Sequence, residues 1–139
     1  MGTVAFTGYR PNKLPFSEDK KDELYVAFRE KLRKVIDRLI ERGYTEYISG
    51  VAMGFDTWVA EDVLASKKLH PEIKLECAIP CINQTEKWFG DSLKRYHNIL
   101  SEADKVTYVS SLKYFNGCMM KRNNYMIDNS SLLIAIYNG

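Results

Sequence analysis

Ile48-Ser49-Gly50-Val51-Ala52-Met53-Gly54-Phe55-Asp56-Thr57-Trp58-Val59-Ala60-Glu61 is the stretch that decides the fold. The apolar pair Tyr47-Ile48 runs into Ser-Gly, a second glycine follows four residues later, and a helical pattern then begins. That order spells a strand, a glycine-bearing turn and a helix N-terminus. Such a turn gathers backbone N–H groups and the positive end of a helix dipole at one place, which suits an anion such as phosphate. Glycine lets the backbone bend there and lets a ligand approach with no Cβ in the way. The spacing is neither G-x-G-x-x-G nor a Walker loop, because no Lys-Ser/Thr pair follows the second glycine. Two readings stand at this point: a phosphate site, or a chain that merely turns a corner.

Outward from this stretch, strand and helix patterns alternate with no linker and no internal repeat, so residues 1–139 read as one domain. Strands are expected at Thr3–Phe6, Glu46–Ser49, Ile73–Ile79 (closed by Pro80), Lys105–Val109 and Leu132–Tyr137. The last is a continuous apolar run of the kind a central parallel strand shows. The first helix is expected over Ser17–Arg42, with Leu24, Phe28, Leu32, Val35, Ile36 and Leu39 on one face. Glu18 and Asp19 suit its N-terminus, and Gly43 its C-terminal cap. The second runs over Phe55–Lys68, with Phe55, Val59, Val63 and Leu64 inward. The third covers Glu86–Ser101, with Phe89, Leu93, Tyr96 and Leu100 on one stripe, and the fourth Met119–Asp128. This alternation predicts an α/β fold with a mostly parallel sheet of about five strands and helices on both faces. Its crossovers should be right-handed. Ligands in such folds sit beyond the carboxyl ends of the strands, near a topological switch point. That rule selects Thr7–Pro11, Ser49–Asp56, Pro80–Gln84 and the end at Tyr137-Asn138-Gly139.

Composition narrows the partners. The chain is 45% hydrophobic, enough for a core, and its formal net charge is +2. That is too small to argue for nucleic acid on bulk electrostatics, and the mixed charges between Glu18 and Arg42 read as a solvated helix face. Three cysteines, Cys77, Cys81 and Cys118, with no secretory signal, point to a reducing, cytoplasmic setting and to buried thiols. Cys77 and Cys81 are not at zinc-knuckle spacing and no histidine pair completes a site, so no metal is expected. No apolar run approaches the ~18 residues that span a bilayer, so no membrane partner is expected.

Several pieces, taken in order, carry a resemblance. They are Thr7-Gly8-Tyr9-Arg10-Pro11, Ile48-Ser49-Gly50 with Gly54-Phe55-Asp56-Thr57-Trp58 and Ala60-Glu61, and Gln84 with Lys87-Trp88. Lys121-Arg122-Asn123-Asn124-Tyr125-Met126-Ile127-Asp128 and Tyr137-Asn138-Gly139 complete the series. The chain resembles the YpsA-like branch of the SLOG superfamily, whose domains are related to DprA and to the Lonely Guy enzymes. The resemblance covers nearly the whole chain. It implies a Rossmann-like three-layer sandwich with a pocket for a nucleotide or nucleotide-derived ligand, ADP-ribose and NAD-type molecules among them. It does not imply one reaction: Lonely Guy enzymes hydrolyse nucleoside monophosphates, and DprA-type members bind single-stranded DNA. The glycine-rich, glutamate-containing motif of the Lonely Guy enzymes is not found in this chain. Family members usually continue beyond the Tyr137-Asn138-Gly139 equivalent with a glycine- and threonine-rich turn, a helix and often a strand. With Gly139 the last residue, half of the usual phosphate cradle is expected to be missing.

The candidate ligand-binding residues are Gly8, Arg10, Pro11, Ser49, Gly50, Ala52, Gly54, Asp56, Pro80, Arg122, Asn123, Asn138 and Gly139. Arg10 offers a bidentate anion contact from a loop stiffened by Pro11. Asp56 either complements the helix dipole or bonds a ribose hydroxyl or loop amide. Glu61 is either a general acid or base or a helix-surface carboxylate. Arg122 either holds a phosphate or pairs with a carboxylate such as Asp128. Tyr9, Trp58 and Trp88 either stack on a base or pack in the domain. The leading expectation is a binding domain for a nucleotide-type small molecule. N-glycosidic hydrolysis through Asp56 or Glu61 and single-stranded DNA binding are the alternatives. A homo-oligomer is expected to cover apolar surface left beside the last strand.

Overall fold

A computed structural model describes residues 2–7, 22–52, 54–86, 88–110 and 113–135. In chain order its elements are β1 (Thr3–Thr7), α1 (Glu23–Glu41), β2 (Glu46–Ser49), α2 (Phe55–Lys67), β3 (Lys74–Ile79), α3 (Gly90–Glu102), β4 (Lys105–Tyr108), α4 (Cys118–Asp128) and β5 (Leu132–Ala135). All four strand pairings are parallel, and the sheet order is β4-β3-β2-β1-β5. The α/β expectation therefore holds, in a Rossmann-like arrangement.

The topology places the helices. From β1 the chain steps outward to β4, then returns past the sheet to add β5 on the other side of β1. Connections of one hand put the outward helices on one face and the returning helix on the other. The period-2 alternation of the strands follows suit. Val4, Phe6, Tyr47, Leu75, Cys77 and Ile79 form one core with the apolar faces of α1, α2 and α3. Ala5, Ile48 and Ala78 meet Met126 of α4 on the opposite face. The reversal between β1 and β5 is the topological switch point.

Local chemistry sets the helix ends, and the structure departs from the sequence reading at several places. Asp22 is extended, and its carboxylate accepts the N–H groups of Leu24 (2.9 Å) and Tyr25 (3.4 Å). The helix expected from Ser17 thus starts at Glu23, because the side chain that caps it keeps its own backbone out of the helix; residues 17–21 lie outside the described residues. At its other end the Gly43 N–H bonds Ile40 O and the Tyr44 N–H bonds Leu39 O, a Schellman closure at the glycine picked for that role. The buried stripe runs through Tyr25, Leu32, Ile36 and Leu39, while Leu24 is 60% exposed. Tyr25 wins the inward position because its ring meets Trp58 of α2 edge-on at 5.1 Å. α3 starts at Gly90 rather than Glu86, since Phe89 is extended and 84% exposed. β5 is an edge strand, not a central one: Leu132 and Ile134 pack on the α1–α3 side, and Leu133 is 42% exposed on the other. Residues after Ala135 lie outside the described residues.

Among the described residues no helix is long and apolar enough to cross a membrane.

Asp104, between α3 and β4, ties three elements. Its carboxylate pairs with Lys67 of α2 and accepts the Leu75 N–H of β3 at 2.9 Å. Burial works against its charge, but Lys67, the Leu75 N–H and Lys74 outweigh that and hold it below its ordinary 3.8. A depressed carboxyl stabilises the fold above its unfolded value, and that contribution is lost as pH falls through the lower folded value. Asp104→Asn should therefore lower Tm at pH 7, with the gap to wild type closing below about pH 3.8; thermal melts from about pH 2.5 to about pH 7, bracketing that value, check it.

Candidate ligand-binding site

The turn between β2 and α2 is built from its own side chains. Ser49 is buried; its Oγ donates to Asp56 O (2.7 Å) and accepts the Val51 N–H (3.1 Å). Val51, fully buried, has φ +54°, a left-handed conformation that a β-branched residue rarely adopts. Strain of this kind persists only where the surroundings impose it, and it clusters at ligand clamps. Ala52 O accepts both the N–H (3.1 Å) and the hydroxyl (2.8 Å) of Thr57. Gly54 is the N-cap of α2, at φ +86° and ψ −128°, a conformation open to glycine. The first N–H groups of a helix have no intrahelical acceptor, and α2 has no capping side chain to supply one.

Arg122 reaches this turn from the other layer. It lies in α4, is only 6% exposed, and its Nη1 donates to Gly50 O (3.0 Å) and Ala78 O (3.4 Å). Its Nε donates to Asn123 Oδ1 at 3.1 Å. The guanidinium therefore rests on the carboxyl ends of β2 and β3. A Cβ on Gly50 would overlap it, standing 2.6 Å from Cζ, and would stand 3.0 Å from Asp56 Oδ2. The buried cation and the buried Asp56 carboxylate thus meet over one glycine, which is glycine because no other residue leaves them room.

The structure brings Ser49, Gly50, Ala52, Gly54, Asp56 and Arg122 together, with Asn123 beside Arg122. Pro80 is buried directly after β3, two residues beyond Ala78. Asn123, Thr7, Met126, Ile127 and Leu133 line a small cavity of about 90 Å³ at the β1–β5 switch point. Gly8, Arg10, Pro11, Asn138 and Gly139, with Tyr9, lie outside the described residues.

Glu61 is committed elsewhere. Its carboxylate accepts Arg95 Nε (2.8 Å) and Nη2 (2.6 Å), with Arg29 at 3.7 Å. Arg29 also binds Asp62 (2.9 Å) and lies over the Tyr25 and Trp58 rings, so these charges lace α1, α2 and α3 together. Trp58 is core. Asp128 is exposed at the end of α4, six residues from Arg122. Burial and the adjacent Cys118 thiol push the Cys81 thiol upward, away from the thiolate a nucleophile needs. A larger cavity, about 520 Å³, lies at the opposite end of the sheet, on the α4 face, where Glu46, Lys74, Glu76, Lys105 and Tyr125 make it polar. Sequence spacing gave no sign of the Arg122–Gly50 approach, which joins residues 72 apart.

A family model for YpsA, described as the YspA SLOG family, matches residues 4–139. The chain is 29% identical to a UPF0398 protein of Halalkalibacterium halodurans over 99% of its own length and 73% of the relative's. It is 31% identical to UPF0398 proteins of Bacillus thuringiensis and Bacillus cereus, over 99% of its length and 75% of theirs.

Arg122→Ala should destabilise the fold by about 3 kcal/mol, because two buried carbonyls lose a charged donor and Asp56 loses the neighbouring cation. Gly50→Ala should cost about 1–3 kcal/mol in the wild type by overpacking, and far less once Arg122 is alanine. Urea unfolding of the four proteins measures this; equal costs in both backgrounds would mean that Arg122 is not what requires glycine.

Proposed function

Because the chain belongs to the YspA SLOG family, we propose that it binds a nucleotide or nucleotide-derived small molecule, with a phosphate at the turn between β2 and α2. Membership of that family suggests a nucleotide-related role. The observation that carries the finer reading is the turn itself: a left-handed Val51 and a left-handed Gly54 lead into a helix with no capping side chain. It stands at the carboxyl end of β2, where open parallel sheets take their ligands.

The charges fit an anion that is met mainly by backbone. Asp56 stands in the first turn of α2, where a bare carboxylate repels phosphate. Arg122, on the other side of Gly50, offsets it. The net attraction then comes from helix N–H groups and the helix dipole. Arg10 adds a direct charge in this reading. Arg122 holds the turn in this reading, since its Nε and Nη1 donate to Asn123, Gly50 and Ala78 and its Nη2 faces Met119 Sδ at 3.8 Å.

A thermal-shift screen with AMP, ADP-ribose, NAD and inorganic phosphate tests the proposal. A ligand at a hundred times its Kd stabilises by about 2.7 kcal/mol, a shift of several degrees. Gly54→Ala, which forces a side chain into a glycine conformation, should abolish the shift, as should Arg10→Ala. No shift with any of the four would overturn the reading.

A further inference from the structure

We infer that the cavity at the amino ends of the strands is a second binding site, and that it takes a small zwitterion, a molecule carrying an ammonium and a carboxylate close together. This goes beyond the nucleotide reading and does not depend on it. The cavity has a volume of about 520 Å³, within the range of small-molecule sites. It lies on the α4 face of the sheet, where parallel strands ordinarily present apolar side chains. β3 departs from that habit. Leu75 and Cys77 enter the core on one face, which leaves Lys74 and Glu76 on the other. Across the sheet, Glu46 is in register with Lys74, and Glu76 with Lys105. Four charged side chains, two of each sign, thus line one cavity with the signs alternating.

These charges do not satisfy one another. Glu76, its side chain 17% exposed, takes the hydroxyls of Tyr125 (2.5 Å) and Thr107 (2.7 Å) on Oε2, and Lys105 Nζ stands 4.0 Å from the same oxygen. Among the described residues Glu76 Oε1 makes no hydrogen bond. Glu46 and Lys74 stand opposite each other, yet neither enters an ion pair among the described residues. Asp104 also lines the cavity but is held by Lys67 and the Leu75 N–H. The end of α4 adds a pull on a cation. Its C-cap, Asn129, lines the cavity, and its last turn carries no basic side chain to meet the negative end of the helix dipole. A lone anion would gain the lysines but face the open oxygen of Glu76 and the end of α4. A lone cation would gain those and face the lysines. A zwitterion answers both, with its ammonium at Glu76 Oε1 and its carboxylate at Lys74 or Lys105. Neighbouring strands lie about 4.8 Å apart, and residues two apart on one strand about 6.6 Å, so both signs fall within reach of a molecule the size of an amino acid.

The test starts with a thermal-shift panel of the standard amino acids and glycylglycine, followed by calorimetric titration of whichever raises Tm most. Its N-acetyl form, which lacks the ammonium, and its methyl ester, which lacks the carboxylate, should each bind about 10- to 100-fold more weakly, the worth of one charged hydrogen bond. Glu76→Gln keeps an oxygen for the Tyr125 and Thr107 hydroxyls and removes the charge. It should fold and lose affinity by the same factor. The double variant Lys74→Gln/Lys105→Gln, at two exposed positions, should melt near the wild-type temperature and show the same loss; it carries the test if Glu76→Gln does not fold. Gly54→Ala, at the other end of the sheet, should leave the affinity unchanged. A panel with no shift overturns the inference. So do blocked forms that bind as well as the free molecule, unchanged affinity in a folded Glu76→Gln or in the lysine variant, and a loss in Gly54→Ala.

Discussion

A guanidinium does not give up its proton inside a protein, so the interior must meet the charge of Arg122 with oxygen. Gly50 O, Ala78 O and Asn123 Oδ1 do so, with Asp56 across the glycine. Much of the molecule follows from that need. The carboxyl ends of β2 and β3 must lie side by side, position 50 must lack a Cβ, and α4 must present one particular turn to the sheet. The turn that opens α2 belongs to one layer and the arginine that steadies it to the other. The proposed site exists only where both layers are in place.

The two faces of the sheet solve burial differently. Three helices and a cluster of aromatic rings cover one face, among them Phe6, Tyr47, Phe55 and Trp58. Among the described residues one helix covers the other, and parallel sheets usually have both faces buried. The strand register explains how one helix serves. At the amino ends of the strands, Thr3, Glu46 and Lys74 form a row, and Glu76 and Lys105 stand opposite each other in the next. Glu76 accepts hydroxyls from Tyr125 (2.5 Å) and Thr107 (2.7 Å). That half of the face is polar and faces the 520 Å³ cavity. The apolar half, Ala5, Ile48 and Ala78, is the part that Met126 covers.

The fold was legible because its signals are local. Strand periodicity, the Ser49-Gly50 turn and the glycine after α1 each depend on neighbours in sequence, and each stands where it was read. What failed was decided by distant contacts or by one side chain's choice. Asp22 capped a helix instead of joining it, and Tyr25 displaced Leu24 because Trp58 waits on another helix. β5 reads as central because it is apolar throughout, but apolarity alone does not say on which side of β1 a strand is laid. The geometry of the candidate site was legible by half. The turn announces itself through its glycines, while the tasks of Arg122 and Glu61 were set by groups on other elements, Gly50 O and Ala78 O for one and Arg95 for the other.

Among the described residues β5 touches the sheet through β1 alone, and its start is latched to the start of β1. The Thr3 N–H donates to Ser131 Oγ (3.1 Å) and the Ser131 N–H to Thr3 O (2.9 Å), residues 128 apart in sequence. A contact of such separation is the most expensive in loop entropy and the slowest to form, whereas β1 through β4 assemble by nearer steps. An edge element of this kind belongs to the first cooperative unit to open and the last to close. α4 lies in the connection to β5, so Arg122 settles on Gly50 only when the two ends of the described chain have met. The chain is thereby its own gatekeeper: a nascent or nicked copy with β1 to β4 in place carries every residue of the turn and still lacks the clamp that sets it.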